Sequence, residues 1–75
     1  MNKKYLKDLK QLGLNIRFYR GNKNYNQEFL AEKAGISIVY LSKVENGHAN
    51  ATLSVIFGIA KALDVPVAKL FEFRE

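Results

Sequence analysis

Two short amphipathic helical patterns separated by a single glycine dominate residues 26–46, which read NQEFLAEKAGISIVYLSKVEN. In the first, Phe29, Leu30 and Ala34 form an apolar stripe, with the small Ala31 beside it. In the second, Leu41 and Val44 face inward at helical spacing, with Tyr40 alongside. Asn26 suits the N-cap of the first helix and Ser37 that of the second, since each side chain can accept an otherwise orphaned backbone N–H. Gly35 closes the first helix in the left-handed conformation that glycine adopts at least cost. A hairpin over residues 36–44 is disfavoured, because Ser-Ile-Val-Tyr-Leu-Ser lacks both turn residues and alternation.

Five helical segments account for the chain. Segment one runs from about Lys4 to Arg20, with Leu9, Leu12, Ile16 and Tyr19 on one face, and Gly21 is its expected stop. Segments two and three are the pair above, about Gln27 to Ala34 and Ile38 to Asn46, with Gly47 closing the second. Thr52 caps segment four, about Leu53 to Leu63, whose inner face is expected to be Leu53, Ile56, Ile59, Ala60 and Leu63. Pro66 opens segment five, about Pro66 to Phe71, where its missing N–H costs nothing. The expected fold class is all-α, a compact five-helix bundle. Residues 1–11 are a basic extension running into helix one, and residues 12–75 are the domain proper.

Seventy-five residues make one domain with a thin core. The absence of cysteine excludes disulfides and thiolate metal sites. Twelve Lys and Arg against seven Asp and Glu give a formal charge of +5, which favours an anionic partner. No apolar run is long enough for a signal peptide or a membrane span, so a cytoplasmic location is expected, with no membrane partner. An enzyme is not expected: there is one His, no phosphate-cradling glycine loop and no nucleophile motif, and Glu28, Glu32, Glu45 and Asp64 fit helix-surface or pairing roles. His48 lacks companion ligands, so no metal and no cofactor are implied, and no small-molecule ligand is evident. A tight helix–glycine turn–helix is how a small protein presents one helix to the major groove of DNA. The chemistry implied is recognition.

The pieces LGLNIRFYR, NQEFLAEKAGIS, YLSKVENG and TLSVIFGIAKALDVPVAKLF fall in order over residues 12–71. Together they resemble the Xre/Cro-type helix-turn-helix family of phage repressors and bacterial regulators, which has a lambda-repressor-like fold of five helices. The resemblance implies double-stranded DNA as partner and residues 27–46 as the reading unit. It further implies that Gln27 clamps a phosphate from the start of helix two, where the helix N-terminus also favours an anion; the alternative is an ordinary exposed glutamine. Ser37 contacts phosphate or merely caps its helix. Asn46 is a second phosphate clamp or a helix stop.

Base reading falls to Ile38, Val39, Ser42 and Lys43. Ile and Val at the first two positions depart from the family's more familiar polar residues, and can touch only thymine methyls or sugar, or else pack sideways on protein. Lys43 is the candidate for guanine O6 and N7, with Ser42 as a tolerant neighbour. Arg17, Lys23 and His48 are further phosphate candidates, His48 having a plain surface-loop role as its alternative. Lys3, Lys4, Lys7 and Lys10 read as a solvated face. Arg20 and Glu45 match a family pairing that fixes the angle between helices one and three.

Apolar residues left over near the C-terminus suggest an interface. Val55, Phe57, Leu70 and Phe73 are the expected homodimer contacts, which would set two recognition helices about 34 Å apart over a palindromic site. Alternatively Phe71 and Phe73 fold back to close the monomer core, on Leu6 and Leu9. A sequence-specific transcriptional regulator is the first functional reading. Controller proteins of restriction–modification systems are similar in size and carry a comparable N-x-T-L stretch, here Asn50-Ala51-Thr52-Leu53, and mobile-element repressors fit nearly as well. The second reading is an antitoxin-type protein-binding module with secondary DNA binding.

Overall fold

A computed structural model describes residues 3–73. After a 3₁₀ turn at Lys3–Tyr5, the chain forms α1 (Leu6–Asn22), α2 (Gln27–Ala34), α3 (Ile38–Glu45), α4 (Leu53–Leu63) and α5 (Val67–Leu70). None of these helices is long and apolar enough to cross a membrane. The all-α expectation holds, with the described residues folded into a body of 31 × 23 × 19 Å.

The caps formed as their chemistry requires. The Asn26 carboxamide oxygen accepts from Phe29 N at 2.8 Å, Ser37 Oγ from Tyr40 N at 3.0 Å and Thr52 Oγ1 from Val55 N at 3.3 Å. Gly35 and Gly47 take the left-handed conformation, at φ 74° and 75°. Gly21, the expected stop of α1, instead lies inside the helix, which runs on to Asn22. The left-handed position of that turn falls to Asn24, at φ 59°, whose short polar side chain tolerates it. Asp64 ends α4 in the same way.

The core is one cluster drawn from all five helices, with Ile16, Leu30, Leu41, Ile56, Ile59, Leu63 and Leu70 at 0–1% exposure. Three expectations about facing are corrected. Phe29, placed on the inner stripe of α2, is exposed and leans on Tyr25, ring centroids 4.6 Å apart; Leu30 and Ala31 take the inner face. Leu53, placed inside α4, is 63% exposed, while Ile56, Ile59, Ala60 and Leu63 take the inner face. Leu70, expected at a dimer interface, is wholly buried. Helix α5 folds back onto α1 and α4, and Asn15 Nδ2 holds it there by donating to Leu70 O at 2.9 Å and Glu72 O at 3.1 Å. Phe71 and Phe73 do not close the core; both stay exposed, their ring centroids 6.1 Å apart.

Helix α1 crosses α3 at one position with no room for a side chain. A Cβ added to Gly13 would sit 2.2 Å from Glu45 O and 2.7 Å from Val44 O, both backbone atoms. Glycine lets two backbones meet there, which sets the C-terminal end of α3 directly against α1.

Candidate nucleic-acid interface

The orientation of α3 rests on a buried polar knot at its last residue. Glu45 is 2% exposed, deep enough that an unpaired carboxylate would be severely destabilising. It is fully engaged. Arg20 Nε donates to Oε2 at 2.8 Å and Arg20 Nη2 to Oε1 at 3.1 Å, the bidentate fork that suits a carboxylate. Gln27 Nε2 adds a third bond to Oε1 at 2.9 Å, and Arg20 Nη1 donates to Tyr25 O at 3.0 Å. One carboxylate thus ties together the end of α1, the start of α2 and the end of α3. The Arg20–Glu45 pair matches its sequence expectation; the Gln27 bond was not anticipated. Neither was Gly13, though an unbroken helical pattern around a glycine is the signal that could have marked a close crossing.

Helix α3 buries Leu41, Val44 and Glu45 and leaves Ile38 (44% exposed), Val39 (62% exposed) and Lys43 outside. Ile38 and Val39 therefore do not pack sideways into the domain. Ser42 is half-buried, with Asn46 Nδ2 donating to its carbonyl at 2.9 Å and lying 3.5 Å from its Oγ. Asn46 thus performs the helix-ending role weighed as its alternative, while remaining exposed. Ser37 likewise caps α3 and is exposed. His48 sits exposed in the following turn, its backbone N donating to Lys43 O at 2.8 Å.

The remaining cations divide. Arg17 lines a cleft of about 180 Å³ with Lys10, Leu14, Glu45 and Asn46, beside the end of α3. Lys23 is turned elsewhere, its Nζ 3.8 Å from Asp64 Oδ2 at the end of α4. Among the described residues no three His, Cys, Asp or Glu gather closely enough to hold a metal. A cleft of about 540 Å³ between α1 and the C-terminal segment is lined by Gln11, Leu14, Asn15, Phe18, Tyr19, Phe73 and the surface ion pair Lys69–Glu72, 3.4 Å apart.

A short capped helix with its outer flank exposed, braced from behind by two others, defines a helix-turn-helix DNA-binding domain. Residues 16–70 match the helix-turn-helix family HTH_3, and the chain belongs to that family. It is a transcriptional regulator of this type. Control protein C.SmaI of Serratia marcescens is 44% identical over 64 residues, covering 84% of this chain and 76% of that protein. The crystal structure of the restriction-modification controller protein C.AhdI from Aeromonas hydrophila superposes with a TM-score of 0.85 at 37% identity, covering 87% of this chain and 98% of that one. A hypothetical transcription factor, NHTF from Neisseria, is similar at TM-score 0.85 and 36% identity, over 88% of this chain and 76% of its own.

Proposed function

We propose that the chain regulates transcription as a homodimer on a short palindromic operator in double-stranded DNA, in the manner of a restriction–modification controller, and that it acts by binding rather than by catalysis. The observation that carries this is the exposed flank of α3, with Ile38, Val39 and Lys43 facing solvent and Ser37 and Asn46 at its two ends. Lys43 reads a guanine edge, Ile38 and Val39 touch thymine methyls, and Ser42 assists. Ser37, Asn46, Gln27, Arg17 and His48 meet phosphates. The controller relatives support this class of regulator, because their similarity extends over most of both chains.

Lys43→Ala should relax preference at one base position per half-site, at a cost of about 1–3 kcal/mol if the guanine contact is bidentate. Gln27→Ala should weaken all sequences alike. Sequence selection with each variant separates the two effects, and an unchanged motif for Lys43→Ala would remove that residue from the reading.

The homodimer reading rests on α4. Leu53 and Phe57 lie one helical turn apart and are 63% and 53% exposed, forming a solvent-facing apolar stripe with half-buried Val55 nearby and Phe73 as a further contact. Phe57→Ser should halve the mass seen by analytical ultracentrifugation while leaving the helical circular dichroism intact. A variant that sediments like the parent moves the interface elsewhere.

A further inference from the structure

We infer that α1 is itself a DNA-backbone-binding element, with Lys10 as its central phosphate ligand and Lys7 extending the contact along the strand. This rests on the reading that α3 faces DNA, and it adds ligands from outside the helix-turn-helix unit. Lys7, Lys10, Leu14 and Arg17 recur at i, i+3, i+7 and i+10, so they form one stripe along α1. Asp8 falls on the other side of the helix. Stripes of this kind are usually solvated, but the structure gives this one a location. Lys10 packs against the turn that follows α3, its Cα and Cγ within 3.0 Å of where a Gly47 side chain would begin. Lys10 and Arg17 then share a cleft with Asn46, the residue that ends α3.

The chemistry of that cleft is specific to an anion. Its two cations have no carboxylate partner within 4 Å among the described residues, since the only acid lining it, Glu45, is consumed by Arg20 and Gln27. Asn46 Nδ2 donates to Ser42 O and carries a second N–H, and the cations supply further donors beside it. Lys7 to Arg17 spans roughly 15 Å of helix, at about 1.5 Å per residue. One DNA strand places several phosphates within such a length, at about 3.4 Å of axial rise each. The ligand is therefore a run of phosphates flanking the bases read by α3, contacted without regard to sequence.

The test uses the full chain and a duplex selected by the wild-type protein. Affinity is measured across a salt series for wild type, Lys7→Gln, Lys10→Gln and the distant control Lys61→Gln, with phosphate-ethylation interference on the same duplex. Glutamine keeps most of the aliphatic stem that packs on Gly47. Loss of either stripe lysine should lower the slope of log affinity against log salt by about 0.9, erase interference at flanking phosphates, and leave the selected motif unchanged. A slope and interference pattern equal to those of Lys61→Gln overturns the proposal. If Lys43→Ala and Asn46→Ala still weaken binding in that case, only the role of α1 has failed. If they too are silent, the placement of α3 on DNA has failed with it.

Discussion

Arg20→Ala should remove about 3–5 kcal/mol of folding stability, the cost of stranding one partner of a buried ion pair. The loss falls on Glu45, which would keep a single bond from Gln27 Nε2 to answer a carboxylate that is 2% exposed. A domain of this size has roughly 4–11 kcal/mol in total, at about 0.05–0.15 kcal/mol per residue, so the variant approaches the unfolded limit. The effect is asymmetric. Glu45→Gln leaves the Arg20 side chain 19% exposed and able to recover some hydration, and it preserves the volume at the crossing. Urea midpoints at constant m-value measure both, and the arginine variant should be the less stable. A change below about 1 kcal/mol for Arg20→Ala would mean that the pair behaves like a surface salt bridge.

Gly13→Ala should destabilise strongly, against the sign that helix propensity gives. In an exposed helix interior the change gains about 0.5–1 kcal/mol. Here the new methyl meets the carbonyl of Glu45 at 2.2 Å, and neither backbone can yield without separating α1 from α3. Overpacking costs about 1–3 kcal/mol, occasionally more, and the separation also stretches the Arg20–Glu45 fork. Gly21 provides the internal control: it lies in the same helix with nothing within 4 Å of its would-be Cβ. Gly21→Ala should therefore raise the melting temperature while Gly13→Ala lowers it. Changes of the same sign would show that the crossing is not as tight as the geometry implies.

What the sequence made legible follows from how local the physics is. The caps at Asn26, Ser37 and Thr52 and the turns at Gly35 and Gly47 depend on residues within one helical turn of each other, and all were readable. The Arg20–Glu45 pair was readable only through the family's motif, since nothing local joins residues 25 apart. Gly21 misled because a glycine late in a helix is a stop signal only when the chain needs a left-handed residue there, and Asn24 met that need. Phe29, Leu53 and Leu70 take other faces than their spacing predicts because apolar residues lie on more than one side of their helices. Periodicity cannot rank such sides; packing order does. The Gln27–Glu45 bond and the Gly13 crossing are wholly tertiary, fixed by where α1 lies across α3.

The most direct measurement of the central claim is selection of bound sequences from random duplex DNA by the purified protein, repeated at two salt concentrations. The account predicts a short symmetric motif, bound less tightly as salt rises. Failure to enrich any sequence, or to retard duplex DNA at low ionic strength, would contradict it.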